Sequence, residues 1–322
     1  MSEAVINRKK DRRKEILKRY GLAIGFVSPF VLVFIIFTVI PLIMGFIISL
    51  CKYNPYDLES TTFIGFSNYL MLFGNNVLAR TFWQALGKTL IFDVVAVPCL
   101  IIIPLGLAYL INMKPPGYKI FRAIIYLPSV ISITIVGVLF GAIFSDSELG
   151  LINAWFSSEN PIPFLSDPVL RWTVILLASI WWQTGTNFII LSAALRNVPK
   201  SLYEACEMDG GSRLELFIHV TLPNIKGSLG IVLFNTLIGY LNLYGQPTVL
   251  NSAINRNNIE SPMMLIQQWL NSFERSSLTG LISATAIFFG LIVMLFTFIE
   301  RYLMKDRKGG SKYEIQYKAY EA

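Results

Sequence analysis

Apolar residues in this chain come in long unbroken blocks rather than in a helical or strand alternation. Six blocks stand out, at residues 21–50, 89–111, 120–144, 172–195, 228–250 and 278–303. A helix needs about 20 apolar residues to cross the hydrocarbon core of a bilayer, and every block meets that length. The pattern predicts an all-α polytopic membrane protein with six transmembrane helices. The fifth block is the weakest, because Asn235, Asn242 and Tyr244 make its second half polar. The chain then divides into a basic segment at 1–20, a six-helix domain at 21–304 with a loop at 196–227, and a tail at 305–322.

Composition agrees: 54% of residues are hydrophobic and only 15% charged, well outside the range of soluble domains. Basic residues concentrate on the cytoplasmic side of membrane proteins. With both termini inside, cytoplasmic segments hold 21 of the 27 Lys and Arg, eight before Tyr20, three in 112–122, four in 196–227 and six after Ile299. The net charge of +7 is therefore accounted for by topology and by attraction of "RKKDRRKEILKR" to anionic lipid, with no nucleic acid partner.

Apparent motifs fall away on inspection. "ISLC" ending at Cys51 has Leu50 where a lipobox needs a small residue, and the run before it is too long for a cleaved signal. "GKT" at Gly87–Thr89 has Phe82 where a phosphate-binding loop needs its first glycine. Cys51, Cys99 and Cys206 lack metal-ligand spacing and His219 is the single histidine, so no metal site is expected. Asp93 lies inside the second block, near its outer end, with Lys88 five residues away as a partner. Trp83, Trp172 and Trp269 fall at predicted membrane edges, where aromatic rings anchor.

The insert "EACEMDGGSRLELFIHVTLP" at 204–223 reads as two short helices joined by a bend. Pro199 suits a first turn, and Ser201 with Glu204 forms an S-x-x-E capping box. Gly210 and Gly211 stop the helix. Ser212 with Glu215 repeats the box, and Pro223 closes the second helix. Leu202, Ala205 and Cys206 share one face, as do Leu214, Phe217 and Ile218.

Glu204-Ala205-Cys206, three residues, Gly210, nine residues, Val220, one residue and Leu222-Pro223 resembles the E-A-A-x3-G-x9-I-x-L-P signature of permease subunits of binding-protein-dependent ABC importers. Cys206 replaces the second Ala and Val220 the Ile. "FIGFSNYLMLF" at 63–73, "FRAIIYLPSV" at 121–130, "GLIN" at 150–153 and "NVPKSLYEA" at 197–205 resemble the carbohydrate-uptake class, the maltose-type and glycerol-phosphate-type permeases. The resemblance implies a type I ABC importer permease fold in the cell membrane. Its cytosolic elbow, through Glu204, Ala205, Cys206, Asp209, Gly210, Gly211, Leu222 and Pro223, docks on a separate ATPase. It also implies that ATP and Mg are bound by two such ATPase subunits and not by this chain, which is no enzyme. A second, non-identical permease and an extracytoplasmic binding protein complete the assembly. Loops 51–88 and 144–171 are long enough to receive that protein, and the second carries Asp146, Glu148, Glu159 and Asp167.

A sugar path should combine aromatic faces with hydroxyl and amide groups. Counting from the signature, Trp182, Gln183, Thr186, Thr236, Gly239 and Tyr240 fall where the resembled maltose-type permease touches its sugar, and Asn187 lies beside them. Hydrogen bonding between helices by Thr, Asn and Gln is the alternative. The absence of Lys and Arg from the middle of the fourth and fifth blocks predicts a neutral oligosaccharide; an anionic saccharide or a glycerol-phosphate-like solute is the alternative cargo. An ion-coupled secondary transporter would show an internal repeat and midplane ionisable residues, and neither is seen.

Overall fold

Proline, asparagine and serine decide where the apolar blocks break. The computed structural model describes residues 20–21, 24–156, 160–253, 261–272 and 278–304. The elements are α1 (Ile24–Ser49), β1 (Cys51–Lys52), β2 (Thr62–Phe63), α2 (Ser67–Met71), α3 (Val77–Asn112), α4 (Tyr118–Tyr126), α5 (Ile133–Ile143), α6 (Leu151–Phe156) and α7 (Pro168–Arg196). They continue with α8 (Lys200–Met208), α9 (Arg213–Glu215), α10 (Leu222–Leu241), α11 (Gly245–Ala253), α12 (Pro262–Asn271) and α13 (Thr279–Met304). The basic segment before Tyr20, Glu159 and the tail 305–322 lie outside the described residues.

Among the described residues, five helical segments are long and apolar enough to span a bilayer: α1, α3, α7, Arg213–Asn251 and Thr279–Tyr302. The third block is not one straight helix. Tyr118–Val130 and Ile133–Ile143 meet at 98° and supply a sixth crossing only as a bent pair. Pro128 cannot donate to the helical carbonyl of Ile124, and Ser132 caps a new helix by accepting from Ile135 N at 3.4 Å. The second helix begins at Val77 rather than at 89, capped by Asn76, whose side chain accepts from Ala79 N at 2.7 Å. Asp93 therefore sits near the middle of a 36-residue helix, not at its outer end. It is buried, and neither carboxyl oxygen has a hydrogen-bond partner among the described residues. A five-residue separation sets Lys88 on another side of the helix.

The described residues form two compact units, one within Met1–Gly74 and Ser272–Phe288, the other within Asn75–Asn271 and Phe289–Ala322. In the first, β1 pairs antiparallel with β2, and buried Asn68 donates to the Ser49 and Cys51 carbonyls at 2.8 and 3.0 Å. In the second, α3 lies along α7 and α10 packs on both. Phe92, Ala96 and Leu100 of α3 meet Val174, Ile175 and Ala178 of α7 in one core. Trp269 is also buried here, at 2% exposure, so it packs the interior rather than anchoring at an interface. The acidic loop before α7 is structural in part. Asp146 accepts from Leu165 N and from the Ser166 hydroxyl, and Asp167 caps α7 by accepting from Val169 N and Leu170 N at 2.9 Å.

Candidate translocation cavity and coupling elbow

The fifth span is interrupted where its sequence turns polar. Helix α10 ends at Leu241, Asn242–Tyr244 are not helical, and α11 starts at Gly245. Irregular backbone at membrane depth is tolerated where it lines protein or a cavity, and here it lines a cavity of about 210 Å³. Asn242, Tyr244 and Gln246 come from the interruption, Asn235, Gly239 and Tyr240 from α10, Trp182 and Gln183 from α7.

Four of the seven residues selected for a sugar path, Trp182, Gln183, Gly239 and Tyr240, are thus brought together. Thr186 is exposed and off the cavity wall. Asn187 and Thr236 are buried between helices, Asn187 donating to Thr236 Oγ1 at 3.1 Å and to the Leu100 carbonyl at 2.8 Å. Trp182 has two roles: its ring lines the cavity, while Nε1 donates at 2.9 Å to the Ile131 carbonyl in the bend between α4 and α5. Tyr240 is buried and donates to the Ser179 carbonyl at 3.4 Å. The α4–α5 bend crosses α7 at Gly185, where a Cβ would stand 2.9 Å from the Ile125 carbonyl oxygen and 3.0 Å from Tyr126 Cα. Gln246 was missed by sequence reasoning, although Gly245 and Pro247 around it are the signals of a helix break.

The elbow follows its sequence with two differences. Pro199 is the N-cap of α8 and makes no side-chain cap bond, so Ser201 and Glu204 lie inside the helix and their capping box does not form. At the other end a full Schellman closure does form: Gly210 N donates to the Glu207 carbonyl at 3.1 Å and Gly211 N to the Cys206 carbonyl at 2.9 Å, with Gly210 at φ +81°. Ser212 caps α9 in the expected box with Glu215. The span Arg213–Asn251 has 39 residues, far more than a bilayer needs, so Glu215 lies in the elbow outside the membrane. Ser212 N donates to its Oε2 at 2.6 Å, which holds the Glu215 carboxyl below the usual carboxylate range. Pro223 does not end a helix. A π-helical turn, Leu216–Thr221, leads directly into α10 with Pro223 in its first turn, where a missing N–H costs least.

The faces also differ from the expected pairing. Tyr203 and Cys206 pack inward with Leu216, Val220 and Ile225 against Leu195 of α7 and Ala108 of α3. The Tyr203 and Thr221 hydroxyls lie 3.1 Å apart, and the Tyr109 and Phe217 rings meet edge-on at 5.1 Å. Glu204, Ala205, Asp209, Gly210 and Pro223 are exposed, Gly211 and Leu222 half-buried. Leu202, Met208, Leu214 and Ile218 leave an apolar surface uncovered beside them.

Apolar spans, one of them interrupted around a polar cavity, and a capped elbow built outside the bilayer define a helical membrane permease. The chain belongs to the family of binding-protein-dependent transport system inner membrane components, whose model matches residues 100–308. It is 32% identical over 298 residues to the arabinooligosaccharides transport system permease protein AraP of Bacillus subtilis (strain 168), covering 88% of each chain. It is 30% identical over 304 residues to the lactose transport system permease protein LacF of Rhizobium radiobacter, covering 91% of this chain and 97% of that one. The fold matches the crystal structure of a bacterial ABC transporter involved in the import of the acidic polysaccharide alginate, with a TM-score of 0.73 and 24% identity over 93% of this chain and 100% of that one. The chain is accordingly a multi-pass, non-catalytic permease subunit of an ABC importer in the cell membrane.

Proposed function

We propose that this permease carries a neutral oligosaccharide inward, received from an extracytoplasmic binding protein and driven by ATP hydrolysis on two partner subunits. The observation that supports the cargo is the cavity at the break in the fifth span. Its wall holds the rings of Trp182, Tyr240 and Tyr244 and the amides of Gln183, Asn235, Asn242 and Gln246, with no Asp, Glu, Lys or Arg among the described residues. Aromatic faces cover the apolar sides of sugar rings and amides match hydroxyls. A charged cargo in such a site would lack the cation that its burial requires. The relatives named for arabinooligosaccharides and lactose agree with this reading. Likeness to the alginate importer, at 24% identity, carries the fold alone.

The cavity, about 210 Å³, is smaller than the roughly 300–1,000 Å³ of closed ligand sites. A second permease would complete the path. Both termini lie in the cytoplasm in this arrangement, which puts the elbow on the same side as the ATPases and the ATP and Mg they bind. Glu204, Ala205, Cys206, Asp209, Gly210, Gly211, Leu222 and Pro223 then form or frame the docking surface. The uncovered Leu202, Met208, Leu214 and Ile218 supply its apolar contact, and the inward face transmits force to α3 and α7.

Uptake of labelled glycans by the reconstituted complex tests the cargo. Neutral oligosaccharides should be accumulated and polyuronates or glycerol phosphate should not. Selective uptake of an anionic solute would defeat the reading.

A further inference from the structure

Three helices of the second unit end around a second cavity, of about 410 Å³, on the elbow side. Lys114 follows α3, Tyr118, Lys119 and Arg122 come from α4, and Ser192 and Arg196 lie a turn apart on α7. Among the described residues, no Asp or Glu lines the cavity. Four cations around one concavity repel each other unless an anion joins them.

Two further observations point to a ligand. Ser192 is 4% exposed and its hydroxyl has no hydrogen-bond partner among the described residues, although a helical serine can return its proton to the carbonyl four residues back. Lys114 holds φ at +54°, a conformation that glycine takes without strain. A lysine there carries backbone strain that a glycine would not.

We infer that this cavity holds the phosphate of an anionic lipid headgroup. A free phosphate offers the same charge and acceptors, but the surroundings favour lipid. Helix α4 starts at the cavity with Tyr118 and Lys119 and runs to Gly185 of α7, which it meets through Ile125 and Tyr126. Its Ile120 and Ile124, with Leu110 of α3, are exposed apolar side chains against which an acyl chain can lie. Basic pockets between membrane helices on the cytoplasmic side hold lipid headgroups in this way; the leaflet assignment rests on the orientation proposed above, while the lipid contact itself does not.

The test uses the complete importer in nanodiscs of equal phosphatidylcholine and phosphatidylglycerol, with native mass spectrometry of the lipid retained after extraction. Phosphatidylglycerol should be retained in preference, and the preference should fall about fivefold for each cation removed in Lys119→Gln with Arg122→Gln. Lys114→Gly, which removes a cation while relieving the backbone, should lower it as well in a chain that folds. Arg80→Gln, outside the cavity, should leave it unchanged. Equal retention of the two lipids overturns the proposal. So does protection of Lys119 from acylation by inorganic phosphate alone to the extent given by phosphatidylglycerol vesicles, which would make the ligand a soluble anion.

Discussion

Asn187 on α7 donates to the backbone carbonyl of Leu100 on α3 at 2.8 Å. Leu100 stands four residues before Pro104, inside the same helix, and proline has no N–H to close that turn. The Asn187 amide takes the place of the missing donor. Its second proton reaches Thr236 on α10 at 3.1 Å, so one side chain ties three helices through a carbonyl that would otherwise be orphaned.

Asn187→Ala should therefore destabilise the purified complex by about 1–3 kcal/mol, the usual cost of a buried group left unsatisfied, above the roughly 0.6 kcal/mol average for interhelical hydrogen bonds in membranes. Pro104→Ala restores an N–H that can reach Leu100, so it should recover part of this loss in the Asn187→Ala background and gain little in the native one. Thermal unfolding of the four variants in detergent forms the cycle. Strictly additive effects would show that the two residues do not share the carbonyl.

Trp182 separates into ring and N–H in the same manner. Trp182→Phe keeps an aromatic wall in the cavity but removes the donor to Ile131, and should cost about 0.5–1.5 kcal/mol with modest loss of uptake. Trp182→Ala removes both and should impair transport further. Equal uptake by the two variants would deny the ring a part in the sugar path.

The spans and the elbow were legible because each is a local pattern: apolar length, Ser212 before Glu215, glycine after a short helix. What was not legible depends on backbone groups meeting at a distance. The LPSVIS stretch at 127–132 carries Pro128 and Ser132, yet hydropathy runs unbroken through it, so the bend near Ile131 disappears in an apolar count. Asn187 and Thr236 look like sugar ligands by type and position; only the carbonyl freed by Pro104 shows why the amide faces inward. The Ser201–Glu204 box failed because Pro199 starts α8 earlier, which puts Ser201 past the capping position.

ATP hydrolysis should require the partners. The sequence has no phosphate loop, since Phe82 stands where its first glycine would be, while the elbow offers a docking surface. ATPase activity should be absent from the isolated chain and present in the assembled importer, measured at equal permease concentration. Turnover by the single chain would reassign the activity.

The last prediction concerns the two elbow glycines, which resist substitution for different reasons. Gly210 has open space where a Cβ would go but holds φ at +81°, so Gly210→Ala should cost about 1–2 kcal/mol of backbone strain and leave the bend in place. Gly210→Pro cannot adopt that φ and also loses the N–H that bonds Glu207, so the closure of α8 should fail. At Gly211 a Cβ would stand 2.8 Å from the Cys206 carbonyl oxygen and 2.7 Å from its sulfur; the backbone atom cannot yield, so Gly211→Ala should open the elbow. Glu204 is exposed on α8, and Glu204→Lys should change the docking charge without refolding anything. In proteoliposomes, Gly210→Pro, Gly211→Ala and Glu204→Lys should each lower uptake per ATP hydrolysed while the amount of membrane-inserted permease stays near native, because all three positions lie outside the spans. Gly210→Ala should transport nearly normally. Native coupling in Gly210→Pro and Glu204→Lys together would remove the elbow from the transmission path.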